Sequence, residues 1–203
     1  TAATDKGSLV HELLLGAGPG VEVIDAADWR TKAAQGQREE ARKNGKTPVL
    51  MEAYLEAMET ATKIREQLEG YGFTLDGASE VCVTWEETST DGVVLCRCMM
   101  DNLKREHGVV LDLKTIRSAH PDTCARHAYE YGYDIQHAAY VAAMRALEPS
   151  LAGRESFTFL FCETEPPYAV TPARLSGEYR ELGERRWQRA VELWGWCIKH
   201  NRW

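Results

Sequence analysis

The sequence predicts an α/β fold, an α+β mixed sheet with helices on its faces. Three observations predict it. The apolar pattern is helical up to about residue 69 and turns to strict alternation at Glu80. Three strand-like runs then follow one another through short polar turns. After them a long helical stretch separates the third run from a further strong strand, "ESFTFLFCET". Runs of strands broken by helices of this length fit one sheet covered by helices.

Each element has its own warrant. "KGSLVHELLLG" is a helix with Leu9, Leu13 and Leu14 on its apolar side, ended by Gly16, Gly18, Pro19 and Gly20. "VEVIDA" is a short strand. Residues 27–46 are polar, alternate in charge and include Gly36 and Gly45, which fits a loose helix or a mobile flap. Pro48 is placed to open a helix to about Glu69. On that helix Met51, Tyr54, Leu55, Met58, Ile64 and Leu68 mostly follow a helical period. "SEVCVTWEE", "GVVLCRCMMDNLK" and "HGVVLDLKTI" form a three-stranded meander. The stretch from His120 to Leu147 is helical, with a break at Tyr131-Gly132-Tyr133. "PYAVTP" is the edge neighbour of the next strand, because Pro166 and Pro167 bar a central place. From Pro172 onward a last helix carries Trp187, Trp194 and Trp196, rings that suit burial between subunits or in the core.

At 203 residues the chain is long enough for one core of ordinary size, and a single domain over 1–203 is expected. Its opening, "TAATDKGSLVHE", resembles the inside of a domain, so a fragment of a longer chain is one reading. No apolar run approaches the roughly 18 residues of a membrane span, and a cytoplasmic protein without a secretory leader is expected. The six cysteines are read as reduced, mostly buried thiols, with disulfides or a metal–sulfur site as the alternative.

The net charge of −7 argues against a generally basic nucleic-acid binder. Local fields matter more than the total. Residues 28–46 hold six Lys and Arg against three Asp and Glu, and the tail from Arg174 holds seven against four. Solvated helix faces explain such excesses equally well.

The chemistry centres on "GVVLDLKTI". Side chains two apart on a strand share a face, so Asp112 and Lys114 point together and Leu111 and Leu113 point away. Asp101 ends the preceding strand and comes near Asp112 if the two strands pair through the short turn. Two carboxylates held close repel unless a cation lies between them. Magnesium fits, since it takes carboxylate and phosphate oxygens. Lys114 then orients or deprotonates an attacking water, or offsets charge on a phosphoryl group. The plain alternative is an Asp–Lys ion pair at a strand end. Gln136 and Tyr140 share one helix face and suit a phosphate or its water, although a solvated Gln and a core Tyr have the same spacing. His11 is a metal ligand, a phosphate donor or a structural residue. Glu80 is a further acid or a solvated strand start.

Taken in order, Gly7-Ser8-Leu9-Val10-His11, Glu80, Cys96 to Asp101, Asp112-Leu113-Lys114-Thr115 and Gln136 to Tyr140 make a set. With this set the chain resembles the PDDEXK superfamily of nucleases, in its RecE-like branch of exonuclease VIII and phage-type exonucleases. The resemblance runs from Gly7 to about Glu163. It implies a restriction-endonuclease-like core. It implies Asp101, Asp112, the Leu113 backbone carbonyl and His11 around Mg2+, with Mn2+ able to substitute. Lys114 is then the catalytic lysine, and Gln136, Tyr140 and, with a looser match, Glu80 join the catalytic set. Met99-Met100 departs from the Arg-Pro-like pair that relatives often carry before the acid. The activity implied is 5′ to 3′ exonuclease digestion of linear double-stranded DNA, leaving 3′ overhangs. The partners implied are a homo-oligomeric ring, trimer or tetramer, and a single-strand annealing protein of RecT type. The alternatives are a repair or Cas4-like endonuclease, and a DNA-binding module without catalysis.

Overall fold

The computed structural model describes residues 2–203, with side chains from Lys6 onward. The chain forms two compact units. The first is built from residues up to Leu75, with Thr115–Ser118 and Cys162–Val170. In it α1 (Ala2–Leu15) packs on α3 (Met51–Gly70). Between them β1 (Val21–Ile24) and β2 (Thr47–Leu50) pair in parallel, joined through α2 (Lys32–Lys43). Thr31 caps α2, its side chain accepting the Ala34 N–H at 3.1 Å. Gly7 lies buried on α1 where a Cβ would sit 2.9 Å from Thr115 Oγ1. That approach explains the glycine in the first motif: a larger residue would push α1 off the strand end.

The second unit holds Asp76–Lys114, Ala119–Phe161 and Thr171–Trp203. Its five-stranded sheet has the order β3 (Ala78–Ser89), β4 (Gly92–Lys104), β5 (Val109–Ile116), β6 (Ser156–Glu163) and β7 (Val170–Ala173). β3, β4 and β5 are an antiparallel meander. A single 3-10 turn at Arg105–His107 joins β4 to β5, and Gly108 closes it with a φ of 63°. α4 (Pro121–Glu130) and α5 (Tyr133–Leu147) cross from β5 to β6. The Ser156 N–H donates to the Gly108 carbonyl at 2.9 Å, so β6 starts beside the start of β5, as parallel neighbours do. The result is a mixed sheet flanked by helices.

α6 (Gly177–His200) packs on α5 and on the β3–β4 hairpin. Gly183 lets it approach so closely that a Cβ there would lie 2.2 Å from the Asp134 carbonyl oxygen. Asp134, fully buried on α5, is held by Arg186 Nη1 at 2.9 Å. Further along, Trp187 lies 6.1 Å from Trp85, and both indole N–H groups donate to Glu87 Oε1.

Three sequence expectations need correction. Pro48 lies in β2 rather than opening the helix, which begins at Met51. Met51, Leu55 and Met58 are exposed; α3 buries Ala57, Thr60, Ala61, Ile64 and Leu68 instead. The last helix begins at Gly177, behind the cap of Ser176, because residues 170–173 are still strand. Of its tryptophans, Trp187 packs on the hairpin while Trp194 and Trp196 are exposed. Residues 27–46 resolve as a capped helix with a short lead-in and exit. No helix of the described residues is long and apolar enough to cross a membrane.

Candidate active site

The site grows out of strand register. β4 and β5 pair from Lys104↔Val109 to Asn102↔Leu111, so one step further puts Asp101 opposite Asp112. β3 and β4 pair Ser79↔Asn102 and Val81↔Met100, which puts Glu80 opposite Asp101. Three acids therefore stand at one level of three adjacent strands. Glu80 has a φ of 49°, a left-handed conformation that costs a non-glycine residue energy. Backbone held in such sparsely populated regions clusters at functional sites. Asp101 turns its carboxylate across the gap, where Oδ2 accepts the Leu113 N–H at 2.8 Å. A side chain thus satisfies a backbone donor just beyond the end of the β4–β5 ladder.

Asp112 is 1% exposed. Its Oδ2 accepts a hydrogen bond from Gln136 Nε2 at 2.5 Å, and its Oδ1 meets the Lys114 ammonium. Burial raises its pKa. The Lys114 charge opposes that rise and the Asp101 charge adds to it, and the net direction is upward. Lys114 also lies over the Tyr133 ring, 4.9 Å from its centroid, and 5.9 Å from that of Phe159. Tyr133 in turn stacks on Phe159 at 5.1 Å. The lysine is thus held by a carboxylate on one side and an aromatic wall on the other.

α5 braces this arrangement. Tyr133, Gln136 and Tyr140 fall at helical spacing on one face. Gln136 reaches Asp112, and the Tyr140 hydroxyl donates to the Met99 carbonyl at 2.8 Å. Burial pushes both tyrosine hydroxyls up to about 12, so each keeps its proton well above neutral pH.

The structure thus brings together Asp101, Asp112, Leu113, Lys114, Gln136 and Tyr140, with Glu80 at the level of Asp101. His11 lies on α1 in the first unit, partly buried. Among the described residues no group of three or more His, Cys, Asp and Glu side chains could hold a metal ion. Tyr133 was not singled out by the sequence. In the sequence it falls in a helix break, although its place three residues before Gln136 puts it on the same face.

The whole chain, residues 1–203, matches the family described as PDDEXK-like domain of unknown function (DUF3799). A crystal structure of a candidate exonuclease from Eubacterium rectale is similar over 100% of this chain and 69% of that one, with a TM-score of 0.63 and 17% identity. A second solved structure, of SSO0001, reaches only a TM-score of 0.40 at 15% identity, over 96% of this chain and 87% of that one. No curated protein matches the sequence. The strand order, the paired aspartates with their lysine and the full-length family match converge: the chain belongs to the PDDEXK-like domain family.

Proposed function

We propose that this chain is a magnesium-dependent deoxyribonuclease that digests linear double-stranded DNA from its ends. The observation that carries the reading is the register of Asp101 and Asp112 with Lys114 on the buried carboxylate. A carboxylate that burial makes costly, set opposite a second one, is chemistry that suits a small hard cation. Magnesium needs only one or two carboxylates because it keeps waters and takes phosphate oxygens. The donor set is all oxygen, so manganese can substitute. Asp101, Asp112 and the Leu113 carbonyl would hold the ion. When bound, it polarises the scissile phosphate and makes bound water more acidic.

The chain's own groups do the rest. The Lys114 ammonium, fixed against Asp112 and the Tyr133 ring, orients the attacking water and offsets charge on the phosphoryl oxygens. Gln136 keeps Asp112 in one orientation. Tyr140 ties α5 to β4 next to Asp101. As the water oxygen joins phosphorus and gives up a proton to solvent, the P–O3′ bond breaks and the 3′ oxygen takes a proton from solvent, leaving a 5′-phosphate and a 3′-hydroxyl.

Digestion from the 5′ end, the 3′ overhang, a trimeric or tetrameric ring and a RecT-type annealing partner are supported by the RecE-like resemblance. The Eubacterium rectale relative, itself named as an exonuclease, favours end digestion over internal cleavage. The test is incubation with linear and closed circular duplex in the presence of magnesium. Digestion of the linear form alone is expected. Nicking of circles would replace the exonuclease reading with an endonuclease, and no cleavage of either would leave a DNA-binding module. Lys114→Ala is expected to lose nearly all cleavage while keeping DNA binding; full activity in that variant would overturn the assignment.

A further inference from the structure

A second stripe runs along α5 beside the one that braces the aspartates. His137, Val141 and Arg145 follow at four-residue spacing, turned about 100° from Gln136 and Tyr140. They line a cavity of ≈ 490 Å³ within the second unit, together with residues of β6, the stretch after β7 and the first turns of α6. None of the carboxylates of the candidate active site lines it.

Two polar atoms in its wall are buried and unpartnered: His137 Nδ1 and Ser156 Oγ. His137 is 8% exposed. A buried polar atom left without a partner costs about 1–3 kcal/mol, so a hydrogen-bonding molecule beside these two, water or ligand, is favoured. Three exposed arginines line the same cavity. Arg145 is anchored through Nε to Glu155 Oε1 at 2.8 Å, and Arg174 through Nε to Thr158 Oγ1 at 3.0 Å. Each anchor leaves the two terminal Nη groups of the fork for something else. Arg180 stands on the first turn of α6, and Gly177 puts the N-terminus of that 24-residue helix on the cavity wall. Glu155, Glu181 and Glu184 also line it. Glu155 is spent on Arg145 and on the Gly153 N–H. Glu181 and Glu184 are exposed on α6.

We propose that this cavity binds a small phosphomonoester, a phosphate group alone or carried on a body of mononucleotide size. Arginine forks match phosphate oxygens in pairs, a hydroxyl and a helix N-terminus add donors, and the volume exceeds what bare phosphate needs. His137 is uncharged at neutral pH, because burial and then the Arg180 and Arg145 charges push its pKa down to about 4. It contributes a hydrogen bond rather than a charge.

Binding at this cavity does not depend on phosphodiester cleavage, so its test runs without metal. Inorganic phosphate and a deoxynucleoside 5′-monophosphate are each titrated calorimetrically into the full chain, in EDTA and a phosphate-free buffer. Saturable binding with a Kd near or below about 1 mM is expected for at least one probe. A tighter nucleotide assigns the ligand to the mononucleotide class, and equal affinities assign it to phosphate itself. Arg180→Gln and Ser156→Ala should each weaken binding about tenfold or more. Neither should lower the urea midpoint without ligand, because one side chain is exposed and the other substitution removes a hydroxyl that has no partner. Asp112→Asn should bind as the parent chain does. The absence of saturable binding by both probes would overturn the proposal. So would binding that survives Arg180→Gln and Ser156→Ala but fails in Asp112→Asn.

Discussion

Lys114→Met should destabilise the metal-free protein, and more so as pH rises. Lys114 is 21% exposed at its side chain and Asp112 is 2%, so the substitution strips the counter-charge from a carboxylate with almost no access to water. Removing one partner of a buried ion pair costs about 3–5 kcal/mol. The residual exposure of the lysine places the expected loss near the lower end, about 3 kcal/mol. The pH dependence follows from proton linkage. Burial already holds the Asp112 pKa above its ordinary value, and Lys114 is the largest opposing influence. Without the lysine the folded-state pKa rises further, so the folded protein binds a proton that the unfolded chain releases. Stability is then retained at acid pH and lost as pH rises through the folded-state pKa. The assay is urea unfolding in EDTA near pH 5 and near pH 8, with the slope checked for constancy. The variant should lose little at the lower pH and most at the higher. Asp112→Asn/Lys114→Met, which removes both charges, should recover most of the loss. A loss below about 1 kcal/mol at the higher pH, or an equal loss at both, would refute the reasoning.

Three further outcomes are expected. Gly183→Ala should cost about 3 kcal/mol or more, read as a lower urea midpoint, because its Cβ meets the Asp134 backbone and not a movable side chain. His137 has a folded-state pKa of about 4 against an ordinary 6.5, so the unfolded chain binds more protons between those values; stability should fall by up to about 3 kcal/mol as pH drops through that window, and His137→Gln should flatten the profile. Tyr133→Leu removes the ring beneath Lys114 and should slow nuclease turnover about tenfold with KM little changed, whereas Tyr133→Phe keeps the ring face and should stay near the parent rate.

How legible this molecule is from its residues differs from element to element. The shared face of Asp112 and Lys114 follows from strand periodicity alone, and the contact between them bears it out. The proximity of Asp101 was conditional, because register depends on how many residues the connection consumes. The 3-10 turn at Arg105–His107 and the left-handed Gly108 settle it. Gln136 and Tyr140 were visible at helical spacing, but their partners were not: one grips the buried aspartate and the other a strand carbonyl. Pro48 misled because a proline serves equally well at a helix start and in a short two-stranded sheet, and only the parallel pairing with β1 distinguishes them. The packed face of α3 was hidden by its small residues. Ala57 and Ala61 carry little hydrophobic signal beside Met51, Leu55 and Met58, yet they are buried and the three larger residues are exposed. The left-handed Glu80 has no sequence signal at all, since the residue type gives no hint of its φ.

The measurement that bears most directly on the central claim is divalent-cation binding by the carboxylate pair. Thermal melting of the parent chain, Asp101→Asn and Asp112→Asn is followed with rising magnesium or manganese and no nucleic acid. If Asp101 and Asp112 hold the ion, the parent midpoint climbs saturably, as binding to the folded state alone requires. Both variants should then show little or no rise, and Asp112→Asn should match or exceed the parent in EDTA, because it removes a buried charge. A parent midpoint indifferent to both metals, or variants that gain as much as the parent, would contradict a metal-dependent nuclease centre at this pair.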